Sequence, residues 1–494
     1  MRNLIKLKFI TFFIIMILSE CLFGQYGIHQ IHKAELGKDY NSSVVYTKSE
    51  RKVLNKSNNL TRSIFGFLPY WENANYKYIN YNLLTHIALF DFAVDENGDV
   101  SIPPNIFANS WNNVISNSRN FNIKVLMTVT NFDSIQINSI IGNTTSKNNF
   151  FAEVNSIISH YNLDGIIVDF EAPKFKDRGE PMNIFMNELN TYLKNENSLL
   201  EVAFASPAVN WGGRWNLKGL AESCDYLFLM GYDYYGSWSS STGPTSPLIS
   251  SSQSLTRSLE LDYKDVVNNY PEKLILGIPY YGLHFKANSP NVGAPKIDKV
   301  ISPRYRESSD VYLQYGKQWY VSFDVPYTYW QSDNLWNQYF VDDDSSISLK
   351  YDLAINRQLK GVGIWALGYD GNKEELWNLI AQKFETTVSV NENENLPAKT
   401  ELLQNYPNPF NPSTKIQFSV DEPANITLQI FNALGQLIKN FNITISSPGS
   451  RYVLWNGRDS FDIAVASGVY YCRIIIGKKS GFTEMHAIKM MMVK

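Results

Sequence analysis

From residue 63 onward the chain alternates short, unbroken apolar runs with stretches in which apolar residues recur every three or four positions. The runs span 64–71, 83–94, 123–130, 163–171, 200–208, 225–234, 274–281 and 361–367. A run that is apolar at both alternating positions predicts a strand buried on both faces. The stretches between follow the helical period: in 150–161, Phe151, Val154, Ile157 and Ile158 share one helix face. Strands and helices alternating in this number predict an α/β fold, a parallel (β/α)8 barrel over residues 63–384. The same rhythm also suits an open, doubly wound sheet.

Between the seventh and eighth runs lies an insertion of about 283–344 that carries Tyr305, Trp319, Tyr320, Tyr327, Tyr329, Trp330 and Trp336. It follows the carboxyl end of a strand, the face on which barrel active sites form. It either walls a cleft or packs as a subdomain of its own. Asp342, Asp343 and Asp344 precede a helical stretch at 346–359 and read as an N-terminal cap rather than as metal ligands.

The ends of the chain read differently. Residues 1–24 have the form of a signal peptide, with Arg2, Lys6 and Lys8 ahead of a short apolar core at 9–18. Residues 25–62 are rich in Asn, Ser and Lys without a sustained apolar period, which predicts a flexible lead-in. The polar, acidic segment 385–400 reads as a linker. In 401–494 apolar residues alternate (Ile416, Phe418, Val420; Ile426, Leu428, Ile430), with Gly435, Gly449 and Gly468 marking turns. That pattern predicts a small C-terminal antiparallel β-sandwich.

Composition narrows the function classes. The net charge is −3 and no long basic run exists, which argues against a nucleic-acid partner. Aromatics reach 14%, enough to stack on sugar rings, although most aromatics fill cores. Of three cysteines, Cys21 lies in the leader, and Cys224 and Cys472 fall in different predicted domains. Neither a disulfide framework nor a cysteine-based zinc site is expected.

The segment from Leu163 to Glu171 carries the chemistry. On a strand, alternate residues share a face. With Ile166 and Val168 toward the outer helices, Gly165, Ile167, Asp169 and Glu171 point into the barrel. Two inward carboxylates at a strand's carboxyl end are costly to bury without a purpose and read as catalytic.

This segment resembles the signature strand of family 18 glycoside hydrolases, the chitinases and endo-β-N-acetylglucosaminidases, whose pattern is Asp-x-x-Asp-x-Asp-x-Glu. Asp164, Asp169 and Glu171 keep three of the four acids, and Ile167 replaces the remaining one. Met230-Gly231-Tyr232-Asp233 matches the family's Met-x-Tyr-Asp. The segment from Gly277 to Gly282, with Tyr281, resembles its seventh strand, and Trp365 stands at the place of its strand-eight tryptophan. The resemblance covers about residues 64–384 and implies a TIM barrel that cleaves β-1,4-linked N-acetylglucosamine polymers such as chitin. It implies Glu171 as acid/base, Asp169 and Tyr232 as its catalytic partners, and Asp233, Trp365, Met230, Tyr281 and Asp164 as substrate-binding residues. No cofactor and no metal are implied, because the substrate's own acetamide supplies the nucleophile. Glycoprotein glycans and peptidoglycan are alternative substrates, and a non-catalytic glycan-binding protein is the alternative of another class. Without a second acid at Ile167, Asp169 is expected to ionise more simply, with an altered pH profile.

The stretch 403–412, then 431–436, 455–457 and 467–471, resemble C-terminal sorting domains of the type IX secretion system. That resemblance implies the secretion machinery as a partner, and a product secreted or attached to the cell surface. The other reading of this domain is a carbohydrate-binding sandwich, for which Tyr406, Phe410, Trp455 and Phe461 are the few stacking rings on offer.

Overall fold

The computed structural model describes residues 27–37 and 60–385, then 400–405, 408–410, 414–445, 449–455, 457–460, 464–478 and 483–493. The signal peptide, most of the linker, Tyr406 and Phe461 lie outside the described residues. The chain forms two compact units that divide between Thr387 and Val388.

In chain order the strands of the first unit are β1 (Ser63–Pro69), β2 (His86–Val94), β3 (Val100–Ser101), β4 (Lys124–Asn131), β5 (Gly165–Phe170), β6 (Glu201–Ser206), β7 (Tyr226–Leu229), β8 (Leu274–Pro279), β9 (Leu283–Ala287), β10 (Gln318–Tyr320), β11 (Val325–Ser332), β12 (Leu335–Phe340) and β13 (Gly361–Trp365). Among the described residues, eight of these pair in parallel as a closed ring, β1-β2-β4-β5-β6-β7-β8-β13 and back to β1. Closure excludes the open sheet. The two-faced apolar runs follow from this architecture, because one face meets the helices and the other fills the barrel. Phe228 lies across the interior, its ring centroid 4.8 Å from that of Phe67. A Cβ on Gly363 or Gly277 would sit 2.1 or 2.5 Å from that same ring. Glycine at both positions therefore makes room for one large side chain.

β7 ends at Leu229, earlier than the apolar run suggested. The backbone turns out of the sheet there, and Asp233 takes a left-handed conformation, φ 64°. Residues 230–234 thus form a turn at the barrel mouth rather than the end of a strand.

The insertion forms its own antiparallel sheet in the order β10-β11-β12-β9, together with the helix Tyr305–Tyr315. It has small cores of its own, one built on Leu283, Phe285, Val300 and Phe340 and another on Tyr312, Tyr339 and Val341. Trp330 is stacked on Tyr315 at 4.1 Å. These packings favour the subdomain reading. The acidic triplet caps the helix Asp344–Asn356: Asp343 accepts from the Ser346 N–H at 2.9 Å, and Asp342 pairs with the buried Lys350.

The second unit holds β14 (Glu401–Leu402), β15 (Thr414–Val420), β16 (Ala424–Asn432), β17 (Leu437–Ile445), β18 (Gly449–Trp455), β19 (Gly468–Lys478) and β20 (Thr483–Met492). They form two antiparallel sheets, β14-β15-β18 and β17-β16-β19-β20. The alternating residues Ile416, Phe418, Val420, Ile426, Leu428 and Ile430 all face one core. Trp455 and Phe410 belong to that core as well, which takes two of the candidate sugar-stacking rings out of play. Cys224 and Cys472 are buried free thiols, one in each unit.

Part of the segment expected to be a flexible lead-in is ordered. Ile28–Leu36 is a helix, and its contacts place it in the barrel mouth.

Candidate active site

The site is assembled at the carboxyl ends of β5, β7 and β13. Asp169 is the penultimate residue of β5, and Glu171 follows its end. Tyr232 and Asp233 come from the turn after β7, and Trp365 closes β13. Four of them are buried, Glu171 at 7% exposure and Asp169 at 0%, and Asp233 is partly buried. Asp233 is held from two sides: its carboxylate accepts the Tyr281 hydroxyl at 2.7 Å, and its backbone N–H donates to Thr245 Oγ1 at 3.1 Å. Those bonds fix the left-handed turn. Met230 is partly buried against the barrel core.

Asp164 is not brought to this site, and the substrate-binding role expected for it is corrected here. It precedes β5 at the opposite end of the barrel, where its carboxylate accepts from Arg119 Nη1 and from the Val125 N–H, both at 2.6 Å. The neighbouring Gly165 has φ 151°, and a Cβ there would lie 2.0 Å from the Glu201 carbonyl. The Asp-Gly pair thus serves the start of the strand, and the two later acids serve its end.

Sequence reasoning missed two groups. The first is Asp91 on β2, 1% exposed, which accepts the Thr130 hydroxyl and pairs with Lys33 at 2.6 Å. An acid inside an otherwise apolar run was the available signal. The second is the N-terminal helix. His29 Nδ1 lies 2.6 Å from Asp169 Oδ2, and its Nε2 lies 2.8 Å from the Tyr232 hydroxyl. The His29 ring stacks on Trp365 with centroids 3.8 Å apart. The Ile28 N–H donates to Asp233 at 2.8 Å. Trp365 Nε1 donates to His32 Nδ1 at 3.1 Å, and the Tyr369 hydroxyl lies 2.9 Å from the same nitrogen. An indole N–H only donates, so His32 Nδ1 is an acceptor and carries no proton. The pattern Ile28, His29, His32 repeats at helical spacing, but it is short and rich in histidine, so no apolar period announced it.

Burial sets the electrostatics. It drives Glu171 well above the ordinary carboxylate range; Asp169 adds to this, while His29 opposes it. Asp169 is raised by burial and then by Asp91, against Lys33. Asp233 is pushed up to about 6 by burial, against its bonds to Tyr281 and Ile28. His29 falls to about 4, burial outweighing the nearby acids. Burial therefore favours the neutral forms of this cluster, the protonated carboxyl of Glu171 and the uncharged imidazole of His29. Ligand atoms of His29, Asp169 and Glu171 lie within 4.8 Å of one another. With His29 bonded to Asp169 and Tyr232, its two ring nitrogens are spent on those bonds.

Residues 54–370 match the model of glycosyl hydrolases family 18, and residues 404–485 match the secretion system C-terminal sorting domain. The second match marks a protein that is secreted through the type IX route or held at the cell surface. Among the described residues no helix is long and apolar enough to cross a membrane. A probable chitinase 2 of Drosophila melanogaster is 29% identical over 162 residues, 32% of this chain and 33% of the relative. A putative sporulation-specific glycosylase of Bacillus subtilis is 22% identical over 292 residues, 57% of this chain and 65% of the relative. The chain thus spans one third to about two thirds of these relatives' lengths. The crystal structure of a chitinase from Cycas revoluta in complex with (GlcNAc)3 superposes with a TM-score of 0.58 at 19% identity, covering 65% of this chain and 99% of that one. At that identity the likeness concerns the fold.

Proposed function

The chain belongs to glycosyl hydrolases family 18, and from that premise we propose that it is a retaining enzyme that cleaves β-1,4-linked N-acetylglucosamine polymers, chitin or chito-oligosaccharides, by substrate-assisted catalysis. The observation that carries this reading is the buried Glu171 beside Asp169, where burial raises its carboxyl well above the ordinary range and favours the protonated state. A general acid needs that state. In the proposed reaction Glu171 gives its proton to the glycosidic oxygen as the bond from that oxygen to the anomeric carbon breaks. The carbonyl oxygen of the sugar's 2-acetamido group bonds to the anomeric carbon, forming a cyclic oxazolinium. Asp169 accepts the acetamide N–H and offsets the positive charge. The Tyr232 hydroxyl donates to the acetamide oxygen and aligns it, Asp233 holds the same sugar, and Trp365 forms the floor beneath it. Water then gives a proton to the Glu171 carboxylate and adds to the anomeric carbon, which reopens the ring with retained configuration and restores the acid.

Incubation of the full chain with a hexamer of N-acetylglucosamine, beside Glu171→Gln, tests this. Shorter oligomers are expected from the wild type, with a rate at least a hundredfold lower in the variant, the order of effect of a general acid. An intact hexamer alongside cleaved glycoprotein glycan or peptidoglycan would move the substrate assignment. Equal rates from both proteins would overturn Glu171 as the acid.

A further inference from the structure

The helix in the barrel mouth makes the contacts that the proposed reaction reserves for the sugar. One ring nitrogen of His29 meets Asp169, the residue assigned to the acetamide N–H, and the other meets Tyr232, the residue assigned to the acetamide oxygen. The imidazole lies on Trp365, the proposed floor. The Ile28 N–H takes Asp233, and Lys33 extends the contact to Asp91. Trp365 and Asp169 are wholly inaccessible beneath the helix, so a sugar and the helix exclude each other. The helix has nine residues, too short to hold its own conformation in water. Its helicity therefore derives from docking. Gly27 adds a close fit, since a Cβ there would lie 2.0 Å from Glu171 Oε2 and 2.6 Å from Oε1.

We propose that residues 27–36 are an intramolecular competitive ligand of the cleft, with the His29 imidazole standing in for the acetamide group of a bound sugar. The segment keeps the cleft closed, and the polymer opens it by competing for the same groups. This rests on the reading of the cleft as an N-acetylglucosamine site. A competitor of this kind weakens apparent substrate affinity by the docked-to-undocked ratio and leaves the chemical step untouched.

The test compares the full chain with His29→Ala, which deletes both ring bonds and the stacking. It also includes Gly27→Ala, which removes no polar group and loosens the docked helix by crowding it against Glu171. KM and kcat for the hexamer are measured, and hydrogen exchange of the amides in residues 28–36 is followed with and without hexamer. The expected result is a KM about tenfold lower in both variants at unchanged kcat. Slow amide exchange in the wild type should become fast with saturating hexamer or in His29→Ala. Identical KM values, with wild-type amides exchanging like a free peptide, would overturn the proposal. Slow exchange that is released by His29→Ala, in a chain that hydrolyses no hexamer, would uphold docking and count against the hydrolase reading alone.

Discussion

Ile167→Asp restores the acid pattern of the family, and the structure says what that should cost and change. Ile167 is wholly buried, so removing its side chain forfeits about 2–3 kcal/mol of apolar burial. The new carboxyl finds partners waiting. Among the described residues, Thr128, its register partner on β4, has a buried hydroxyl with no hydrogen-bond partner, and Asp169, two residues on and on the same face, has Oδ1 unpartnered as well. Two hydrogen bonds at about 0.5–1.5 kcal/mol each offset most of the loss, leaving a net destabilisation of about 0.5 kcal/mol, and no more than about 2 kcal/mol. The kinetic effect has a definite sign. A protonated Asp at 167 donates to the Asp169 carboxylate and favours its charged form, which lowers the pH at which Asp169 ionises. The pair then loses its second proton at higher pH than Asp169 alone would. One charge-assisted hydrogen bond is worth about one pKa unit here. The acid limb of kcat/KM should therefore move down by about one pH unit, measured in the His29→Ala background so that the cleft is read without the helix. A variant that folds, by thermal unfolding, but keeps the wild-type profile would refute the reasoning.

Two further predictions concern the opposite end of the barrel. Asp164→Ala should cost about 1–2 kcal/mol in urea unfolding through loss of its bonds to Arg119 and Val125, with kcat/KM unchanged; a selective fall in kcat/KM would contradict its placement. Glu201 is held down to about 2: burial pushes it up, but His86 and Lys124 outweigh burial. Its folded value lies below the ordinary 4.5, so its contribution of about 2–3 kcal/mol is complete above about pH 4.5 and is lost as pH falls toward 2. Glu201→Gln should flatten the pH dependence of stability over that window, and an equally steep variant would exclude this pairing as the cause.

The barrel was legible because strands buried on both faces leave continuous apolar runs, and Asp169 and Glu171 stood out as acids ending such a run. The turn at 230–234 was not legible. Met230, Tyr232 and Tyr234 continue the alternation of a strand, and the positive φ of Asp233, fixed by Tyr281 and Thr245, takes them out of the sheet. Asp164 was misplaced because a motif gives spacing along a strand, not which end of the barrel each acid serves. The N-terminal helix escaped notice because its docking face is made of histidines, a lysine and three apolar residues, Ile28, Ile31 and Leu36. Such a face carries little hydrophobic signal and gains its stability from polar groups far along the chain. Asp91 was passed over for a related reason: its partners, Thr130 and Lys33, lie on other elements.

The flat ring that stacks on Trp365 belongs to an amino acid and contains no pyranose. Trp365 and its two flanking groups thus accept a planar azole with nitrogens at opposite edges, one meeting a carboxyl and the other a phenol. For inhibitor chemistry this shifts the starting point from carbohydrate scaffolds, which are polar and laborious to synthesise, to small heteroaromatics. Substituents grown along the path of the Ile28 and His32 side chains would extend such a compound over surface that the protein's own residues already cover.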